Sequence, residues 1–401
     1  RSTRVRSSAA SDVYKRQNQK KEVTELTKKN TNYYKYIWDN VATYTDKWGK
    51  HSFTGMLGAS MRQEQYRLLE GTATNVPEGE DVWKYIALGN KEGATVKDDG
   101  WKYRGLSYFT RLNYNYNDKY MLMFTFRAYG SSKYNDKWGY FPSIGAAWVI
   151  SQEPFMKNQN IFDYMKLRAS WGKLGNQEIG NYRSLSILRK GSSNFYYNKK
   201  WISTYEPGSN PNPDLRWEKK KEFNVGLDMS VLDNRLNVTV DYYNRRTKDL
   251  LYTYTVPVPP NLYPSKFANV GTIDNKGIEV TVNATPISRK NFSWNLAATI
   301  SHNKNNLVKF SNEDYEMVQI QTGYFPDDLK MYTMRIVEGG SLGNFWGPKF
   351  LGFNDNGGAI YEDLDGVEGI TEADYQVIGN AYPDVLLSLQ NTLSLIHISE
   401  P

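Results

Sequence analysis

The chain has 401 residues, with 50 Lys and Arg against 43 Asp and Glu, three His and no Cys, and a mean hydropathy of −0.67. No disulfide, thiolate nucleophile or Cys-ligated metal is open to it, and its longest clean apolar run, Ala146–Ile150, falls far short of the ~20 residues of a membrane helix. Aromatic residues make up 14% of the chain, 31 residues being Tyr, which is more than a disordered chain carries.

Residues 1–17, RSTRVRSSAASDVYKRQ, hold five basic residues and one acid and show neither strand nor helix periodicity. A signal peptide needs an apolar core after its basic start, and none follows. The segment Ser7–Gln17 resembles translated sequencing-adaptor read-through, as does SLIHISEP at residues 394–401. Both ends are therefore expected to be foreign to the fold, with a native tail at each end as the alternative, leaving residues 18–393 as a fragment of one larger domain. The tail holds one acid, so without the two ends the net charge falls from +7 to +4. A nucleic-acid partner loses its electrostatic support with them.

From Asn18 onward apolar and polar residues alternate strictly over long runs, the period of a strand with two unlike faces. Tyr120, Leu122, Phe124 and Phe126 oppose Thr125 and Arg127, and Leu167, Ala169 and Trp171 oppose Arg168 and Ser170. The clearest run sets Phe223, Val225, Leu227, Met229 and Val231 against Asn224, Gly226, Asp228 and Ser230. After a short polar turn at Asp233-Asn234, Leu236, Val238, Val240 and Tyr242 oppose Asn237, Thr239, Asp241 and Tyr243. Ile278, Val280, Val282 and Ala284 then oppose Glu279, Thr281 and Asn283, and Trp294, Leu296, Ala298 and Ile300 oppose Asn295, Thr299, Ser301 and Asn303. About a dozen such strands are expected.

The fold class is all-β and antiparallel, and two architectures share its pattern: a soluble sandwich and a transmembrane β-barrel. The runs are longer than the ~5–6 residues usual in soluble strands. Aromatics recur toward run ends (Tyr114, Tyr116, Tyr120; Tyr242, Tyr243, Tyr252, Tyr254), as interfacial girdles require, and Arg127, Arg168, Asp228, Asp241 and Glu279 all fall on the polar face. An outward charge at mid-bilayer would cost ~2–4 kcal/mol, and a closed barrel satisfies every backbone group in hydrocarbon. These features favour the barrel. Short turns at Asp233-Asn234 and 288–291 alternate with long connections near 71–100, 175–213 and 311–342, as periplasmic turns alternate with outer loops. The long ones carry Tyr196, Tyr197, Trp201, Tyr205, Tyr315 and Tyr324, either as platforms for sugar rings and peptide side chains or as packing between loops.

Several ordered strings carry a resemblance. WGKLGNQEIGNY (171–182), NPDLRWE (212–218) and the strand FNVGLDMSVLDNRLNVTVDYYNRRTKDLL after it resemble SusC/RagA-family TonB-dependent outer-membrane transporters. So do NVGTIDNKGIEV (269–280), FWGPKFLGF (345–353) and IYEDLDG (360–366), in the order of the C-terminal half of that family's barrel. The resemblance covers residues 33–393. It implies part of a 22-stranded barrel with an N-terminal plug and a SusD-like surface lipoprotein over the outer mouth. It also implies TonB-energised uptake of glycan oligomers or peptides, through a plug and TonB-contacting segment that this fragment is expected to lack.

Catalysis finds little support. His397 lies in the tail, and Ser301 and His302 are sequence neighbours on opposite faces of a strand, poorly placed as a nucleophile–base pair. No P-loop or dinucleotide fingerprint is present. One ligand-like cluster stands out at residues 363–374, whose twelve-residue frame resembles a calcium-binding EF-hand loop. Asp363, Asp365 and Asp374 occupy positions 1, 3 and 12, while Val367 at position 5 and Glu368 at position 6 depart from the pattern. A plain acidic loop with no resident cofactor is favoured over a Ca2+ site. The run Lys219-Lys220-Lys221 reads either as a polyanion patch or, preferably, as a strand end at the membrane surface. The expected function is an outer-membrane nutrient importer; the runner-up is a soluble or surface-anchored β-sheet protein that binds glycans through aromatic loops.

Overall fold

The computed structural model describes residues 6–7, 23–77, 84–289, 291–311, 316, 319–325 and 331–395. Its strands in chain order are β1 (Arg6–Ser7), β2 (Glu25–Trp48), β3 (His51–Thr74), β4 (Thr95–Tyr116), β5 (Tyr120–Ser131), β6 (Trp138–Val149) and β7 (Phe162–Asn176). A hairpin, β8 (Leu188–Tyr197) and β9 (Lys200–Pro207), precedes β10 (Glu218–Val231) and β11 (Leu236–Lys248). A second, β12 (Leu251–Thr255) and β13 (Ser265–Asn269), precedes β14 (Thr272–Arg289) and β15 (Phe292–Lys309). Then come β16 (Ile320–Phe325), β17 (Met331–Ile336), β18 (Asn344–Pro348), β19 (Phe350–Phe353), β20 (Ala359–Tyr361), β21 (Tyr375–Asn380) and β22 (Val385–Leu395). No helix among the described residues is long and apolar enough to cross a membrane.

Twelve strands form one antiparallel sheet in the order β1-β2-β3-β4-β5-β6-β7-β10-β11-β14-β15-β22. It is an open wall, because β1 and β22 are its edges. The tightest turns fall at one end of this wall, at 49–50, 117–119 and 232–235, with the connection 150–161 on the same side. The other end carries the link 132–137 and every connection with inserted strands: β8–β9, β12–β13 and the four-stranded sheet β16-β17-β18-β21. The turn at 232–235 is tight because Leu232, Asp233 and Asn234 all take positive φ (59°, 54° and 61°) and the Arg235 N–H donates to the Leu232 carbonyl at 3.1 Å.

The expected long connections are partly structured. β3 and β4 run into the first and pair as far as Thr72 with Thr95. The second contains β8–β9, and the third contains β16 and β17. These hairpins escaped the sequence reading because their alternation is short and lies between turn-forming residues.

Register keeps each face uniform across the wall. Gly226 lies opposite Arg168 on β7 and Asp241 on β11, and Asp241 lies opposite Glu279 on β14. Val225 lies opposite Ala169 and Tyr242, and Tyr242 opposite Ile278. The apolar face is the exposed one. On β3, Leu57 is 66% exposed while Glu64, on the opposite face, is 7% exposed. A soluble sandwich hides its apolar face; this wall does the reverse.

On the polar face the Arg168 guanidinium donates to both carboxylate oxygens of Asp228 (2.8 and 3.0 Å) and to Asp241 (3.1 Å). A Cβ at position 226 would lie 2.5 Å from Asp241 Oδ1 and 2.6 Å from Arg168 Nη2, so only glycine lets the guanidinium cross β10 there.

Aromatic rings mark the two ends of the apolar face. Toward the short turns, Trp48 stacks on His51, Tyr116 on Tyr120, and Tyr120 and Trp148 both donate to Glu153. Toward the long loops, Tyr108 stacks on Trp138 and Phe126 on Tyr140. Ten residues separate Trp138 from Trp148 on β6, about 33 Å along the strand. At a tilt of about 40° that is about 25 Å, the height of an outer-membrane apolar band. Of the second expected aromatic group only Tyr242 belongs to this girdle. Tyr243 is buried on the polar face with its hydroxyl 3.0 Å from Asn303 Oδ1, and Tyr252 and Tyr254 lie in β12, outside the wall.

The wall has no core of its own. Buried apolar clusters lie at the long-loop end: Tyr254, Val256, Ala268, Val270, Leu307 and Phe310 in one, Tyr134, Ile179, Leu215 and Trp217 in another. Of the head, only Arg6 and Ser7 are among the described residues, opposite Lys29 and Lys28. Of the tail, Ser394 and Leu395 continue β22 opposite Ser293 and Phe292, and 396–401, with His397, lie outside the described residues.

The two faces predict unequal costs for neighbouring substitutions. Val225→Arg should destabilise the folded protein in lipid by ~2–4 kcal/mol near mid-bilayer, whereas Asn224→Arg should cost much less beside Asp228 and Asp241. Spin labels at 225, 227 and 229 should meet lipid-soluble oxygen and labels at 224 and 226 an aqueous quencher. Oxygen that failed to reach the odd positions would refute the lipid-facing assignment.

Candidate functional site

The long-loop end gathers the residues that could meet a ligand, and the NPDLRWE string builds its base. Asn212 Nδ2 donates to the Phe267 carbonyl at 2.9 Å, and Asn210 Nδ2 to the carbonyls of Tyr263 (2.7 Å) and Ser265 (2.8 Å). Asn210 Oδ1 accepts from the backbone of Leu262 and Tyr263. Arg216 N–H donates to Asn269 Oδ1 and Asn269 Nδ2 returns a bond to the Arg216 carbonyl, both at 2.8 Å. Leu215 and Trp217 are buried between these contacts. The string thus binds the β7–β10 connection to β13, a role invisible in sequence because its partners lie about fifty residues away.

Above this base stands the β8–β9 hairpin. Asn198 and Lys199 both have positive φ (47° and 60°) and connect Tyr197 directly to its cross-strand partner Lys200, a two-residue turn suited to strand twist. Tyr196 packs against Trp201 with ring centroids 5.0 Å apart, and Phe195 against Tyr197 at 6.3 Å. Packing within the hairpin leaves the rings open: Trp201 is 72% and Tyr205 70% exposed. Tyr324 is exposed on β16, at 5.1 Å from Tyr332, and Tyr315 lies outside the described residues.

The acidic loop between β20 and β21 brings its three expected residues together. Carboxylate oxygens of Asp363, Asp365 and Asp374 lie within 4.8 Å of one another. Five of their six oxygens already accept hydrogen bonds inside the loop: Asp363 from Gly366 N–H, Asp365 from Val367 N–H and the Thr371 hydroxyl, Asp374 from Leu364 and Thr371 N–H. Thr371 and Asp374 form a reciprocal capping box on the short 3-10 turn Glu372–Asp374. The backbone N–H groups of Thr371 and Leu364 hold the buried Asp374 carboxyl below the usual carboxylate range. Sequence reasoning offered Asp374 as position 12 of a calcium-type loop, with a plain acidic loop favoured, and did not read this capping role, although Thr371-x-x-Asp374 is its signal.

Neither described histidine has a nucleophile to activate. His51 Nδ1 lies 2.7 Å from the Tyr114 hydroxyl in the girdle, and His302 Nδ1 lies 2.6 Å from the Asp384 carbonyl oxygen. The basic run divides: Lys220 turns to the polar side and pairs with Glu222 at 3.4 Å, while Lys219 and Lys221 share the face of Phe223.

Asp374→Ala should therefore open the loop, exposing the Leu364 and Thr371 amides to rapid hydrogen exchange, while Asp363→Ala should leave both protected. Because the folded-state value is depressed, this carboxylate's contribution is complete above the ordinary value of about 3.9 and is lost as pH falls through the folded one. Protection of the two amides should thus be flat from neutrality to about pH 4 and collapse below it. Equal protection in both variants would refute the role.

The chain matches the family model described as TonB dependent receptor-like, beta-barrel, over residues 2–391. A TonB-dependent receptor of Formosa agariphila is 32% identical over 377 residues, covering 89% of this chain and 37% of the relative. The TonB-dependent receptor SusC of Bacteroides thetaiotaomicron is 35% identical over 223 residues, 54% of this chain and 22% of SusC. The chain thus spans little more than a third of the length of the first of these relatives. The solved RagAB peptide transporter shares the fold with a TM-score of 0.76 at 20% identity, over 93% of this chain and 41% of that one. The strand-end asymmetry, the exposed apolar face and these matches agree: the chain belongs to the TonB-dependent receptor β-barrel family.

Proposed function

We propose that the chain is barrel wall of an outer-membrane importer that takes up glycan oligomers or peptides, driven by the TonB complex and capped by a SusD-like surface lipoprotein. The observation that carries this reading is the inverted wall: apolar side chains exposed, charged side chains in mid-wall turned inward, and all strand-bearing insertions at one end. Such a wall is stable only in lipid around a polar lumen. The RagAB neighbour is named for peptide transport, which supports the peptide arm. Uncovered rings at Trp201 and Tyr205 suit either sugar faces or peptide side chains. The family is one of transporters and receptors, and a non-enzymatic role accords with the histidine contacts above.

Fractionation tests the location. The full-length protein should sediment with outer membrane and be released only by detergent; recovery from the soluble fraction would favour a soluble or surface-anchored glycan-binding protein instead. Trp201→Ala with Tyr205→Ala should leave that location intact and weaken cargo binding by about 2 kcal/mol, roughly thirtyfold in Kd. Unchanged binding would exclude the hairpin from recognition.

For the acidic loop the reading is a self-satisfied turn with no resident ion. The three carboxylates suit an oxygen-liganded cation, but a Ca2+ ion would have to compete with the loop's own N–H donors, and Val367 supplies no ligand. Calorimetry on the full-length protein should show weak or undetectable calcium binding. A submillimolar Kd abolished by Asp363→Ala would overturn this.

A further inference from the structure

The polar face absorbs most charge in the wall, yet one set of cations stands on the apolar face. Toward the long loops the outward series ends at Trp171, Phe223, Tyr242, Ile278 and Ile300. Beyond these, Lys221 on β10 lies directly opposite Lys173 on β7 and Arg246 on β11. Lys276 lies opposite Lys304 across β14 and β15, and Lys219 opposite Lys248 across β10 and β11. Lys221, Lys276 and Lys304 are exposed.

Like charges directly opposite each other destabilise a sheet, so four such pairings in adjacent strands call for counter-charge. The protein supplies little. Asp274 holds Arg246 at 2.6 and 2.5 Å, and Asp249 holds Arg216 at 2.8 Å and Lys219 at 3.7 Å. Among the described residues no carboxylate lies within ion-pair distance of Lys173, Lys221, Lys276 or Lys304.

We propose that this row binds the phosphate groups of a phosphorylated glycolipid in the outer leaflet. Two features select a lipid over a free anion. On β7, β10 and β14 the row begins one step beyond the apolar band, and on β11 and β15 two steps beyond it, where Val225, Tyr242, Val280 and Ile278 can carry acyl chains. Lysine stems lie along that band while their ammonium groups reach the headgroup level. A phosphate monoester carries between one and two negative charges near neutrality, enough to offset a pair of facing lysines. The proposal rests on the outer-membrane location proposed above, with the long loops outside.

The test uses the full-length protein purified in detergent, offered bis-phosphorylated lipid A or the same lipid A stripped of both phosphates, with bound lipid counted by native mass spectrometry. The wild type should retain the phosphorylated form at least about tenfold better. Lys221→Gln, Lys276→Gln and Lys304→Gln combined should lower that retention roughly a hundredfold, at about fivefold per charge removed. Lys166→Gln, on the polar face of β7, should change nothing. If the triple variant fails to fold, Lys221→Gln and Lys276→Gln singly, each about fivefold weaker, decide the matter. Equal retention of the two lipids, or undiminished retention by the variants, overturns the proposal. So does displacement of the lipid by millimolar inorganic phosphate, which would assign the row to a soluble anion. Fractionation of the same cells separates the two failures: wild type in the outer membrane without phosphate-dependent lipid binding refutes only the lipid site, while wild type outside it refutes the location.

Discussion

A backbone that crosses hydrocarbon must satisfy each N–H and C=O from within the protein, because no water is there to do so. In this chain the solution is lateral: each wall strand pairs in antiparallel register with both neighbours, from β2 through β15. Register then fixes everything else. A slip of one residue would turn Arg168, Asp228 and Asp241 outward together and bring Val225 and Leu227 inward. The guanidinium lying across Gly226 between two carboxylates opposes such a slip, since it needs all three strands in one alignment.

The wall and its outer end are held by different physics. The wall is a single layer whose apolar side chains face outward, so its residues gain little from packing on one another. Its stability comes from ladder hydrogen bonds, inward ion pairs and the surrounding lipid. The long-loop end behaves as a small soluble domain would, with buried apolar clusters around Val270, Leu307, Leu215 and Trp217 and asparagines tying loop to loop. The exposed aromatic hairpin and the acidic turn are mounted on that base. Recognition surfaces placed there can vary while the wall beneath remains unchanged.

Charge placement follows from the same division. Inward charges meet partners or a polar lumen, while the outward ones named above stand at the strand ends, at or past the aromatic girdle. The girdle near the short turns is internally bonded through Glu153 and His51, whereas the one near the long loops is followed by lysines facing lysines. The two rims thus present different chemistry to the membrane surfaces they meet.

Alternation by itself determined the long strands of the wall, their inward and outward faces and the direction of the loops, because a period of two with unlike faces has few physical solutions at these lengths. Ordered strings such as NPDLRWE carried the family, and the spacing of Asp363, Asp365 and Asp374 foretold that they would meet. Tertiary structure alone decided what those groups do. Asp374 is a turn cap because two backbone amides reach it, and Tyr243 is buried while its neighbour Tyr242 faces outward in the girdle. Tyr252 and Tyr254 left the wall because β12 pairs with β13. Asn210 and Asn212 are staples because β13 lies beside them, and Lys173, Lys221 and Arg246 form a row only through lateral pairing. Each of these depends on contacts between residues far apart in the chain, and local periodicity holds no record of them.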